Sequence, residues 1–170
     1  MIELMLDEAY TRRAPQIIGT AKRSLDVSLY KAIVHGKPAK KSSRIMLDRL
    51  LVAAKQNVTV RVLLNTASPA VRLRQQNRIA AQWMKDHGIQ VRHLVANRCN
   101  HAKFIIVDDS FAVVGSHNWS YDSLRRNHEA SIGTDDPYVI EQLHKNFDHL
   151  WASSAAFSPL KSQTANKKGG

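Results

Sequence analysis

Residues 103–115 read KFIIVDDSFAVVG, two short apolar runs broken by the polar trio Asp108–Ser110. Apolar, β-branched runs on either side of so short a turn predict an antiparallel β-hairpin. A chain that sets such a hairpin among helical segments builds a mixed sheet, not a wholly parallel one. Around the hairpin the pattern alternates. LDVSLY (25–30), VTVRVLL (58–64), IQVRHLV (89–95) and HEASIGT (128–134) read as further strands. Between the first two, Ile45, Leu47, Leu50, Leu51 and Ala54 recur at helical spacing behind a cap at Ser42 or Ser43. A second helix runs from Pro69 to about His87 and stops at Gly88, and Pro137 opens a last one that reaches Trp151. The expected fold is α/β, a mixed β-sheet flanked by helices on both faces. It forms a single domain over residues 1–151, followed by a flexible basic tail over 152–170.

Charge narrows the partners. The chain has 25 Lys+Arg against 14 Asp+Glu, a formal +11 at pH 7, and residues 11–44 hold nine of the cations and one acid, Asp26. So concentrated an excess suits a polyanion, nucleic acid first and an anionic lipid surface second, although it serves solubility as well. The candidate nucleic-acid surface comprises Lys37, Lys40, Lys41 and Arg44, with Arg72 and Arg74 on the second helix and Arg125 and Arg126 before Glu129. No apolar run approaches the roughly 18 residues of a membrane span. The acidic start MIELMLDEAY does not read as a secretory signal. The expectation is a cytoplasmic protein without stable membrane association. One cysteine, Cys99, excludes an internal disulfide and a Cys-rich zinc site.

The chemistry gathers between His101 and Glu129. His101 and Lys103 stand two apart in extended chain and share a face. Imidazole is nucleophilic near neutral pH, and an ammonium beside it neutralises a phosphodiester oxygen. Ser116 and Asn118, also two apart, supply hydrogen-bond donors for phosphate, and Gly115 lets backbone approach closely. Together they form a clamp for charge that builds up at phosphorus, a task that needs no metal or other cofactor. His117 and His128 point away from that face in regular strands, and Trp119 reads as packing. Cys99 lacks a partner set for nucleophilic work. Ser28 and Tyr30 close the first strand at the edge where such a site would sit, or serve as core and cap.

The spacing His101-x-Lys103, Asp108 after four residues, Gly115-Ser116-x-Asn118 after six more, and a later acid resembles the phospholipase D superfamily signature. The likeness covers nearly all of residues 20–151. It implies catalytic roles for His101, Lys103 and Glu129, the last holding the second nitrogen of the histidine. It also implies phosphate binding by Lys103, Ser116 and Asn118, and a framework role for Asp108. A covalent phosphohistidine route needs two histidines, and this chain has one copy of the motif. The resemblance is therefore to the small single-motif endonucleases, and it implies a homodimer whose two His101 side chains meet at a two-fold axis. The expected activity is metal-independent, largely sequence-nonspecific cleavage of DNA or RNA. The alternatives are a phospholipase or phosphatidyl transferase and a catalytically silent nucleic-acid-binding module.

Overall fold

The structure is a computed structural model that describes residues 1–34, 42–66, 68–94 and 99–158. In chain order the elements are β1 (Ile2–Leu6), α1 (Glu8–Ile18), β2 (Ser24–Leu29), α2 (Ser42–Lys55), β3 (Thr59–Leu64), α3 (Val71–Asp86) and β4 (Gln90–Leu94). There follow β5 (Phe104–Val107), β6 (Phe111–Gly115), α4 (Tyr121–Arg125), β7 (Ala130–Thr134), α5 (Pro137–Ala152) and β8 (Ser154–Ala156). The strands form one mixed sheet in the order β1-β7-β6-β5-β2-β3-β4-β8. Strands β2, β3 and β4 run parallel, as βαβ crossovers through α2 and α3 require. The hairpin β5–β6 lies antiparallel beside β2, and β7, β1 and β8 are antiparallel additions at the two ends.

Strand alternation divides the core in two. Leu25, Val27, Leu29, Val62, Ile105 and Val113 meet Ile18 of α1, Leu47 and Leu50 of α2, and Ala80 and Met84 of α3 on one face. Leu63, Phe104, Ile106 and Ala112 meet Ile140 and Phe147 of α5 on the other. The helices do cover both faces. On the α5 side, however, β1 and β7 are bare: Ile2, Leu4, Leu6 and Ile132 all stay exposed.

The ends of the elements follow local chemistry. Gly88 takes φ of +78° just past α3, where its amide bonds back to Lys85 and that of Ile89 to Met84. The Asp136 carboxylate accepts the amides of Tyr138 and Val139 and caps α5, with Pro137 in the first turn. Asp108 and Asp109 both have positive φ, 52° and 58°, which gives the hairpin turn the twist its strands need. After Trp151 the chain continues further than its composition suggests. Ser154–Ala156 pairs along β4, and Phe157 is buried.

Candidate active site

Antiparallel pairing sets Phe104 opposite Ser28, so the start of β5 lies beside the carboxyl end of β2. That register brings Tyr30 to His101, with ring centroids 4.5 Å apart. Just before β5, the Asn100 side chain donates to Ser28 Oγ at 3.0 Å and accepts the Ala102 amide, while Ser28 donates to the Ala102 carbonyl. These bonds fix the loop that carries His101. Lys103 is 7% exposed, and its Nζ lies 3.0 Å from His101 Nδ1, 2.5 Å from the His101 carbonyl and 5.2 Å from the Tyr30 ring centroid.

Ser116 and Asn118 follow β6, and Glu129 immediately precedes β7. With His101, Lys103 and Gly115 they line one cleft of about 510 Å³, walled by Phe104, Val114 and Leu143. The Glu129 carboxylate accepts from Ser116 Oγ, from Ser123 Oγ at 2.6 Å and from Asn127 at 3.2 Å. It makes no hydrogen bond to His101, so within one chain it does not hold the imidazole as the resemblance implied. The hydroxyls beside it and the Lys103 charge are its partners instead. The close backbone approach at Gly115 is that of a neighbouring strand. A Cβ there would run into Ala130 and Ser131 of β7, so the glycine permits close strand packing, which keeps Glu129 beside Ser116.

Electrostatics favours the neutral imidazole at His101. Burial, and then the Lys103 charge, hold the His101 imidazolium below its ordinary pKa. Burial also lowers Lys103, opposed by Glu129 and Cys99. Burial pushes the Glu129 carboxyl up, but its three hydrogen bonds outweigh that and leave it below the usual value. Asn118 Oδ1 is buried and without a partner among the described residues, a polar atom on the cleft wall that a ligand would satisfy.

The other singled-out residues separate by contact. Asp108 is framework: its carboxylate accepts the amides of Lys22, Arg23 and Ser24 at 2.7, 2.7 and 2.8 Å. His117 is 1% exposed, stacked on Tyr10 and bonded to Ser131 Oγ and the Asp7 carbonyl. His128 is fully exposed next to Asp7, and Trp119 is wholly buried and donates to Tyr10. Cys99 is exposed and free. Two positioning residues carried no sequence signal. Asp7 accepts the Glu129 amide at 2.8 Å, and Ser123 bonds both Glu129 and the Asn118 amide.

The proposed basic surface is largely neutralised where it is described. Arg44 pairs with Asp48 and lies over Trp83, Arg125 pairs with Glu8 and Arg126 with Asp122. Arg74 donates to the carbonyls of Ser68 and Pro69. Arg72 has no hydrogen-bond or ion-pair partner among the described residues. Lys37, Lys40 and Lys41 lie outside those residues.

Comparison with known proteins decides the family. Residues 15–151 match the family described as "Cardiolipin synthase, PLD-like domain". The chain belongs to the phospholipase D superfamily. Membership by itself leaves the reaction and its substrate open. The mitochondrial cardiolipin hydrolase of Xenopus laevis is 28% identical over 148 residues, which are 85% of this chain, and the chain spans 62% of that protein. Among solved structures the fold is similar to Nuc from Salmonella typhimurium, described as a phospholipase D family member, with TM-score 0.76 and 18% identity. That match covers 92% of this chain and 99% of Nuc. NucT from Helicobacter pylori is similar at TM-score 0.74 and 20% identity, with the same coverage. Among the described residues no helix is long and apolar enough to cross a membrane, and no group of His, Cys, Asp or Glu converges as a metal site.

Proposed function

We propose that this phospholipase D superfamily member is a metal-independent endonuclease that works as a homodimer through a phosphohistidine on His101. The observation that carries the reading is the cleft itself. It sets a pKa-lowered imidazole against a buried ammonium, with the Ser116 and Asn118 side chains on the opposite wall. Lys103 now faces the lone pairs of His101. An entering phosphate draws the ammonium to its own oxygens and frees the imidazole to attack. The new P–N bond forms as the P–O bond to the departing nucleotide breaks, and His101 of the partner subunit gives that oxygen its proton. Water then attacks phosphorus, yields its proton to the same imidazole, and releases the phosphate monoester with His101 regenerated. Lys103 and the Asn118 amide nitrogen hold the equatorial oxygens throughout, joined by Ser116 when its hydroxyl turns from Glu129 to the phosphate. The +11 charge supports a nucleic-acid backbone as the substrate.

A phospholipid substrate is the second reading. It is supported by the bare apolar row Ile2, Leu4, Leu6 and Ile132, on strands that adjoin the cleft through Glu129, and by the name of the amphibian relative. Plasmid DNA and cardiolipin vesicles, each incubated with the protein in excess EDTA, separate the two. Nicking of plasmid, lost by roughly 10³-fold or more in His101→Ala, is the expected result. Release of phosphatidic acid from vesicles with intact plasmid would transfer the site to lipid. Sedimentation of the active form as a monomer would overturn the shared-site mechanism.

A further inference from the structure

A second pocket, about 330 Å³, opens on the helical face next to the cleft. Two stretches of chain join them. Lys31 and Ile33 line the pocket directly after Tyr30, which touches His101, and Tyr121 and Asp122 line it three and four residues after Asn118. Between these stretches, Lys31 and Ile33 bond to Trp119 through the backbone.

The lining is built for an anion. Ser43 lies in the first turn of the 14-residue α2, and Ala70, Arg72 and Leu73 begin the 16-residue α3, so two helix amino ends border one space. Neither helix has an acid in its first turn, and α3 has no side-chain cap. The first amides of α3 therefore lack the side-chain acceptor that helix starts usually recruit. The independent sign of a ligand is Ser43. Its side chain is 3% exposed, lines the pocket and has no partner among the described residues. Lys31 and Arg72 bring two cations, likewise without hydrogen-bond or ion-pair partners among the described residues. Asp122 brings one negative charge, which faces Arg126 at 3.6 Å.

We propose that Lys31, Ser43, Arg72 and the first turns of α2 and α3 form a seat for a second phosphate of the nucleic-acid strand, flanking the one cleaved at His101. The inference rests on the nuclease reading and sharpens it. One phosphate in the cleft and another in the seat fix the direction in which the strand crosses the protein. A small diester occupies only the cleft.

The test measures binding of a fluorescent 20-nucleotide single-stranded DNA to the uncleaving His101→Ala chain over a range of salt. Arg72→Gln in that background weakens binding roughly tenfold, as loss of a charged hydrogen bond does. It also flattens the slope of log affinity against log salt by about 0.7, the value for one phosphate contact on a single strand. Lys31→Ala gives the same change, and adding it to Arg72→Gln gives less than the sum. Lys55→Gln, the same charge loss at the far end of α2, leaves the slope unchanged. An unchanged slope in Arg72→Gln with binding retained overturns the seat and leaves the nuclease reading intact. An equal fall in Lys55→Gln reduces the effect to general charge and also overturns it. Failure of the parent chain to bind the oligonucleotide overturns both readings together. Arg72 dependence seen only with cardiolipin vesicles overturns the assignment to nucleic acid.

Discussion

Two groupings of histidine, cation and carboxylate lie in this protein, and they differ in how completely they are satisfied. Under α5, Asp26 is 2% exposed and receives both arms of Arg61 at 2.7 and 2.6 Å; His144 Nδ1 stands 3.5 Å from it. Arg61 also reaches Asp148 and lies against Phe147, while His144 Nε2 meets Asp109 at 2.5 Å. Arg61 there has two acids, although His144 Nε2 faces Asp109 without a well-formed hydrogen bond. In the cleft, Lys103 has only His101 as a hydrogen-bonding partner among the described residues, His101 is exposed, and Asn118 keeps an oxygen unanswered among them. The same residue types form a strut where the guanidinium is matched by two carboxylates and a more open constellation where the ammonium has no described carboxylate within hydrogen-bonding reach.

Mutation can break this contrast. Asp26→Ala leaves Arg61 without its buried partner and is expected to cost about 3 kcal/mol or more, read as a lower urea midpoint. Turnover per folded molecule stays near wild type. His101→Ala does the reverse, abolishing turnover while changing stability by less than about 0.5 kcal/mol. Equal losses of stability in the two variants would erase the distinction.

A smaller effect is expected at Asp108. Burial pushes its carboxyl up, but the amides of Ser24, Arg23 and Lys22 outweigh that and hold it below the ordinary value. A depressed carboxylate stabilises the fold above its unfolded pKa of about 3.9 and loses that contribution as pH falls through the folded value. Asp108→Asn therefore lowers the urea midpoint at pH 7, by about 1–2 kcal/mol, and the gap from wild type closes toward pH 3. A gap independent of pH would mean that the charge plays no part.

The smallest expected change sharpens the picture of the cleft. The His101 titration followed by NMR has its midpoint below the usual imidazole value of about 6.5. Lys103→Met moves that midpoint upward by removing the neighbouring charge, and burial keeps it from returning fully. A midpoint that stays put or falls would remove Lys103 from the electrostatics of the nucleophile.

Much of this architecture is readable without coordinates because its signals are local. The hairpin follows from two apolar runs around Asp108–Ser110, the end of α3 from Gly88, and the cleft from residues spaced along two strands. The amino-terminal strand and helix were not legible in the same way. Pro15 sits inside α1 and is buried, and β1 shows three exposed apolar side chains. Position in the sheet, not pattern, accounts for both. The role of Asp7 depends on a partner 122 residues away, and that of Ser123 on a turn no motif announces. Spacing singles out Glu129 but is silent about which neighbours its carboxylate takes within one chain, which are Ser116, Ser123 and Asn127. The basic surface fared worst: Glu8, Asp48 and Asp122 are remote or unremarkable in sequence, yet they cancel three of its arginines.

The tie between Asp7 and Glu129 has a consequence for synthesis. On the ribosome β1 emerges more than 120 residues ahead of the strand it pairs with. Until then Asp7 and β1 have no partner, and the Glu129 side of the cleft is not yet built. The cleft is therefore assembled late, from segments far apart in the chain.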